Sequence, residues 1–189
     1  MKKRIAIFDF DGTLFDTCRA NYEAYKAAFI KIEKCFEYSF DEFKEKCFGR
    51  HYKSFLNEMS GLTNEEIERI HDTKCAIYPE YAEKYVAENE ALFSILQSMK
   101  ESCYIVLFTT ASRKSIEFLL NRNNRKELFD YILTGEDVED PKPAKEGYYR
   151  ILDKYELNEK DAVFFDDSEE AIDAAADIGI QAYKVIWNN

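Results

Sequence analysis

The sequence predicts an α/β protein: a doubly wound parallel sheet whose chain is interrupted by an all-helical insertion. Three observations carry that expectation. The runs Ile5–Phe8, Tyr104–Phe108, Ala162–Phe165 and Ala182–Trp187 are continuously apolar rather than alternating, as strands buried on both faces are. Helical patterns stand between the later runs, the alternation a parallel sheet needs. The stretch between the first two runs holds no convincing strand, several helical stripes, and far more chain than a crossover loop uses.

The elements follow in order. After Ile5–Phe8, the insertion runs from about Asp16 to about Asn89. Tyr22, Tyr25, Phe29, Ile32 and Phe36 recur at spacings of three and four, one apolar helical stripe. Ser39-Phe40-Asp41-Glu42 and Thr63-Asn64-Glu65-Glu66 match the capping-box pattern and start two more helices. Tyr78, Tyr81, Tyr85 and Val86 suggest a fourth. Aromatic residues at helical spacing read as packing, not as a ligand box. Beyond Tyr104–Phe108, Ser112 can cap a helix with Ile116, Leu119 and Leu120 on one face, and Tyr131–Leu133 is a weaker strand. Tyr148, Ile151, Leu152 and Tyr155 mark the next helix. Ser168 begins another, with Ile172, Ala175 and Ala176 inward and Gly179 as its stop. The division expected is 1–15 with 90–189 for the sheet domain and 16–89 for the helical one.

Composition bounds the function. The 189 residues are 46% hydrophobic and 15% aromatic, which excludes a disordered chain. The formal net charge of −11 argues against nucleic acid or an anionic membrane as partner. An anionic substrate therefore needs a local positive site or a metal. Cys18, Cys35, Cys47, Cys75 and Cys103 are odd in number and widely spaced, so they support neither a zinc site nor a disulfide framework. They read as small buried or half-buried residues of a reducing compartment. The basic start Met1–Arg4 is followed by only Ile5–Phe8 before Asp9 interrupts, too short for a signal peptide. No stretch has the roughly 18 uncharged residues of a membrane span. A cytoplasmic protein is expected, a monomer or weak dimer.

The polar residues that carry chemistry sit where the strands run out, outside the carboxyl ends where doubly wound sheets bind ligands. Asp9 and Asp11 follow the first strand, and Gly12 lets the backbone turn sharply behind them. Close like charges call for a cation such as Mg²⁺ or for a shifted pKa. The second strand ends in Thr109-Thr110-Ala111-Ser112, where a hydroxyl and backbone N–H groups at a helix start offer an anion site, or where Thr110 and Ser112 are only helix caps. In Asp140-Pro141-Lys142-Pro143 two prolines fix the backbone around one lysine, which suits a fixed counter-charge. Asp166 and Asp167 add a second acidic pair that completes an oxygen cage suited to Mg²⁺, although one of them can simply cap the following helix.

These four segments, in this order, resemble the four motifs of the haloacid dehalogenase-like (HAD) phosphatase superfamily. Asp9-Phe10-Asp11-Gly12-Thr13 resembles the first, Thr110 the second, Lys142-Pro143 the third and Asp166-Asp167-Ser168 the fourth. The resemblance spans the whole chain and implies a Rossmann-like core with an alpha-helical cap inserted after the first motif, as in phosphoglycolate phosphatase and beta-phosphoglucomutase. It implies that Asp9 is the nucleophile and forms an aspartyl-phosphate, and that Asp11 protonates the leaving oxygen and then deprotonates water. It places Mg²⁺ among the Asp9 carboxylate, the Asp11 backbone carbonyl and the Asp167 carboxylate. Thr110, the Ala111 backbone and Lys142 would hold the phosphoryl oxygens, with Thr109 competing with Thr110 by one position. An acid two residues after the nucleophile separates phosphate-ester hydrolases from relatives acting on carbon–halogen bonds. One departure stands out: many relatives carry an acid four residues after the fourth-motif aspartate, where this chain has Ala171. Glu170 or Asp166 would then support the metal.

The turn Phe48-Gly49-Arg50-His51-Tyr52-Lys53 places three potential cations in a strongly acidic chain. It is either a solvated turn or, as in the relatives it resembles, the cap turn that grips the substrate, with Arg50, His51 and Lys53 as candidates. The function expected is a Mg²⁺-dependent phosphomonoester hydrolase acting on a small phosphorylated metabolite. Three other readings compete: a phosphosugar mutase on the same scaffold, a phosphorylatable signalling receiver, and a non-catalytic binding protein. A receiver has no cap of this size, and a binding protein would have lost a catalytic group.

Overall fold

The computed structural model describes residues 3–187. The chain forms two compact units, one holding everything up to Asp16 and from Glu88 onward, the other Thr17–Ala87. Two-residue strands mark the two crossings in sequence, β2 (Phe15–Asp16) and β3 (Ala87–Glu88), where no strand was expected.

The first unit is built on a five-stranded parallel sheet. Its strands are β1 (Arg4–Phe8), β4 (Cys103–Phe108), β5 (Tyr131–Leu133), β6 (Ala162–Asp166) and β7 (Gln181–Lys184), in the order β5-β4-β1-β6-β7. β1 is central: Ile5 pairs with Tyr104 on one side and Ala162 on the other, Phe8 with Leu107 and Phe165. Being flanked on both sides and covered on both faces explains why Ile5, Ala6, Ile7 and Phe8 are all fully buried. Even the weak run Tyr131–Leu133 is a strand, pairing its three residues with Val106–Phe108. β7 is shorter than the run Ala182–Trp187. Its partner β6 ends at Asp166, whose carbonyl accepts a last bond from Val185 N–H at 2.8 Å. Without further pairing the edge ends, and Ile186 stands 72% exposed.

The helices of this unit are α5 (Glu90–Met99), α6 (Arg113–Arg122), α7 (Glu146–Tyr155) and α8 (Glu169–Asp177). α7 and α8 lay Tyr148, Ile151, Leu152, Ala171 and Ala175 on Ile5, Ile7, Val106, Phe108 and Phe164 of one sheet face. Ser112 and Ser168 cap α6 and α8, accepting from Ser115 N–H and Ala171 N–H, and Gly179 at φ +95° ends the α8 segment. The inward face of α8 is Ala171 and Ala175, with Ile172 half-buried; Ala176, expected inward, is exposed. α5 was not anticipated, though Asn89 caps it and Leu92, Phe93 and Leu96 are its buried stripe.

The second unit holds four helices: α1 (Cys18–Lys31), α2 (Phe40–Lys46), α3 (Tyr52–Glu58) and α4 (Asn64–Tyr85). Both capping boxes form, at Ser39–Glu42 and Thr63–Glu66. Tyr78, Tyr81 and Tyr85 continue α4 instead of starting another helix, and α3 supplies the fourth. The stripe from Tyr22 to Phe36 is not one helix. α1 ends at Lys31, Glu33 turns the chain at φ +61°, and Phe36 folds back onto Phe29 with ring centroids 4.9 Å apart. The stripe therefore packs as read while its last third is loop. Cys35 in that loop is exposed, against expectation; the other four cysteines are buried.

Candidate active site

The carboxyl ends of β1, β4 and β6 converge. Asp9 directly follows β1, is 5% exposed, and its N–H continues the ladder to Phe165 O at 2.9 Å. Asp166 is the last residue of β6, and Asp167 follows it. One carboxylate oxygen from each of Asp9, Asp166 and Asp167 lies within 4.8 Å of the others, the only such group of potential metal ligands among the described residues.

Lys142 reaches into this cluster. Its Nζ donates to Asp9 Oδ1 and to Asp166 Oδ2, at 2.6 Å each, from a side chain only 6% exposed. Burial alone would pull the ammonium toward neutrality; the two carboxylates outweigh it and hold its pKa above the lysine range. Burial lifts Asp9 well above the carboxylate range, Lys142 opposing and Asp166 and Asp167 adding to the rise. Burial and the Asp166 charge likewise hold Asp167 up at about 7, with a smaller push from Asp11. Three carboxyls gathered about one ammonium resist ionising together without a second cation, and the donors are all hard oxygen. This set fits a divalent metal of the Mg²⁺ type.

The loop between β1 and β2 is shaped for the same place. Gly12 has φ +81°, and a Cβ there would fall 2.3 Å from Asp167 Oδ2, so only glycine lets the backbone pass the carboxylate. Thr13 is fully buried and donates from Oγ1 to Asp167 Oδ1 at 3.5 Å. Asn89 pins this loop: its side chain donates to Thr13 O at 3.2 Å and its N–H to Leu14 O at 2.9 Å. Sequence reasoning missed Asn89, whose helix-cap signal was its only mark.

The candidate residues divide as follows. Asp9, Lys142 and Asp167 are brought together. Asp11 is half-buried two residues beyond Asp9, and its carboxylate is not in the three-oxygen cluster; the third carboxylate is Asp166. Asp166 does not cap α8, which Ser168 does; its Oδ1 accepts Ser168 N–H at 2.8 Å while its Oδ2 accepts from Lys142. Glu170 is exposed in the first turn of α8 and outside the cluster. At the end of β4, Ser112 is a helix cap and Thr110 is not. Thr109 is buried, and its Oγ1 accepts Ala111 N–H at 3.1 Å, while Thr110 is half-buried beside it. In the helical unit, Gly49 takes φ +80° and the Arg50 guanidinium is held by Glu58 and by Lys46 O, the latter at 2.8 Å. Lys53 pairs with Glu68 at 2.9 Å, and the half-buried His51 is the N-cap residue of α3, its pKa lowered by burial and by Lys53.

Fold and site together define a class of α/β enzyme that gathers its carboxylates and one lysine outside the ends of parallel strands. The family is shown directly: the model of the haloacid dehalogenase-like hydrolases matches residues 6–185, and the chain belongs to that family. It is 26% identical over 182 residues to an uncharacterized protein of Haemophilus influenzae, covering 95% of this chain and 89% of that one. It is 25% identical to the pyrophosphatase PpaX of Bacillus cereus, over 99% of this chain and 85% of that protein. Among solved structures, CbbY from Rhodobacter sphaeroides in complex with phosphate superposes with a TM-score of 0.85 at 22% identity, covering 95% and 84% of the two chains. A predicted phosphoglycolate phosphatase from Haemophilus somnus gives 0.79 at 18%, covering 96% and 84%. The structural likenesses establish the fold. No described helix is long and apolar enough to cross a membrane.

Proposed function

We propose that this hydrolase removes phosphate from a small phosphorylated metabolite through an aspartyl-phosphate on Asp9, with Mg²⁺ as its metal. The observation that carries the reading is the buried Lys142 ammonium held between Asp9 and Asp166 beside Asp167. Phosphoryl transfer is mainly positioning and charge neutralisation, and this cluster is built for both. The names of the relatives, a pyrophosphatase and a phosphoglycolate phosphatase, agree with a phosphate-releasing reaction. The helical unit is then the cap, and Arg50, His51 and Lys53 are its candidates to hold the part of the substrate that does not react.

Lys142 keeps Asp9 available as a nucleophile by stabilising its anion through Oδ1, which leaves the other oxygen to bond phosphorus. As that bond forms, the ester P–O bond breaks, and Asp11 gives its proton to the leaving oxygen. The leaving alcohol departs, and Asp11, now ionised, takes a proton from water as the water oxygen attacks the acyl phosphate. Inorganic phosphate is released and Asp9 is restored. Splitting one displacement into two is the gain from the covalent intermediate. Thr110 and Lys142 bind the phosphoryl oxygens. Asp9, Asp167 and the Asp11 carbonyl, supported by Asp166, would hold the metal, which would supply positive charge against the transferring group. The test is phosphate release from a panel of phosphorylated metabolites that includes inorganic pyrophosphate and phosphoglycolate, together with acid-quench trapping of labelled protein. Release with a trapped phosphoenzyme supports the reading; isomerisation of a sugar phosphate without net phosphate release would replace it with the mutase.

A further inference from the structure

Lys142 carries a contact set that the hydrolytic chemistry does not account for. Its Nζ sits over two aromatic rings, 5.3 Å from the centroid of Phe108 and 5.4 Å from that of Phe164. Phe108 closes β4 and Phe164 lies in β6, the two neighbours of β1, and both rings belong to the sheet face covered by α7. Tyr148 stands edge-on to both, at 5.1 Å and 89° to Phe108 and 5.2 Å and 83° to Phe164. Its hydroxyl donates to Ala171 O at 3.0 Å, which fixes the ring that fixes the other two. Gly147 completes the arrangement, because a Cβ there would lie 2.1 Å from Phe108 Cζ.

We propose that Phe108 and Phe164, locked by Tyr148, are positioning residues that clamp the Lys142 ammonium between Asp9 and Asp166. A lysine stem is flexible, and two carboxylates on different strands pull its head in competing directions. An aliphatic wall would charge the ammonium a desolvation cost; two π faces offset it and fix how far the head can sink. When negative charge moves from Asp9 to the transferring group, the ammonium then stays where that charge arrives. This inference rests on the proposed function only for its catalytic consequence; the clamp itself is a structural statement.

The test replaces Phe164 with mono-, di- and trifluorophenylalanine, which drains the π face at nearly constant shape; Phe108 is left unfluorinated because its Cζ abuts Gly147. The melting temperature should fall with each fluorine in the Lys142 protein and stay flat in a Lys142→Met background. With p-nitrophenyl phosphate, trifluorination should lower kcat roughly tenfold while KM moves less than about twofold. Trifluorination of Phe29, buried in the helical unit, should change neither. A fluorine series that is equally steep in both backgrounds overturns the clamp. If the melting series behaves as expected and no form hydrolyses the ester, the clamp stands and the phosphatase reading falls. Should Lys142→Met not fold, the Lys142 ε-methylene resonance decides. Its upfield ring-current shift should shrink in Phe108→Leu and Phe164→Leu, and no change in either overturns the proposal.

Discussion

Replacing Gly147 with alanine sets two effects of opposite sign against each other. Gly147 lies in the first turn of α7 with an ordinary negative-φ backbone, so alanine meets no conformational strain and gains up to about 1 kcal/mol of helix propensity. Against this, the new Cβ would sit 2.1 Å from Cζ and 2.5 Å from Cε2 of Phe108. Carbon contacts settle near 3.5–4.0 Å, so the ring must retreat by roughly 1.5 Å. It has nowhere to go: Phe108 is fully buried, Tyr148 stands against it, and the Lys142 head lies over it. Overpacking of this kind costs about 1–3 kcal/mol, and a rigid ring belongs at the upper end. The net effect is a loss of roughly 2 kcal/mol, or about 4–8 °C in Tm for a chain of this size. Thermal and urea melts of Gly147→Ala, Phe108→Leu and the double variant measure it. The double variant should be more stable than the sum of the single losses, because leucine vacates the space the Cβ needs. Gly147→Ala at or above wild-type stability, or strict additivity, would refute the argument.

Activity should vanish in chelator and return with Mg²⁺. In the metal-free protein the raised Asp167 pKa of about 7 exceeds the ~3.9 of an unfolded aspartate, so ionising it costs stability from about pH 4 until pH exceeds about 7. The metal-free fold should weaken as pH rises through that window, and metal binding should tighten across it with proton release; a pH-independent affinity by calorimetry would contradict this. Asp9→Asn should yield no trappable phosphoenzyme, whereas Asp11→Asn should keep metal binding and lose about 10²–10⁴-fold in rate. Arg50→Ala should raise KM severalfold or more for the natural substrate and much less for p-nitrophenyl phosphate, with equal losses on both pointing to a folding defect instead. A thiol reagent at pH 8 should modify Cys35 alone in the native protein and five cysteines after denaturation. Cys47, whose thiol burial pushes up to about 11, is then protonated as well as hidden.

Strands flanked on both sides announce themselves: β1 after Arg4, β4, and β6 up to Asp166 are runs of apolar residues, each buried or half-buried. β7 was misjudged at its end because an edge strand stops where its partner stops, and Asp166 carries no local sign of that. The carboxylates and Lys142 were legible because polar residues at consecutive strand ends have few structural uses. What escaped was everything that acts through packing. Phe108, Phe164 and Tyr148 look like core, and they are core; only their placement under one ammonium gives them a second role. Gly147 inside a helical pattern and Asn89 before one carried no hint of the ring and the loop they accommodate. The stripe from Tyr22 to Phe36 shows the converse, a correct pattern of burial attached to the wrong length of helix.

The central place of β1 has a consequence during synthesis. The strand precedes both of its partners, residues 103–108 and 162–166, by long stretches of chain. At about 5–20 residues per second, the second partner emerges roughly 8–30 s after the first strand. Until residues 103–108 emerge, Ile5–Phe8 is an apolar segment with two unpaired edges, and one edge stays open until residues 162–166 follow. The helical unit is made entirely within the delay. Its packing, α1 against α4 foremost, closes within residues 17–87, so it can form before β4 is made and bring Asp16 and Glu88 toward each other. That shortens the loop whose closure entropy β1 must overcome to meet β4. The insertion thus shortens the separation that β1 and β4 must close, whatever it later does with a substrate.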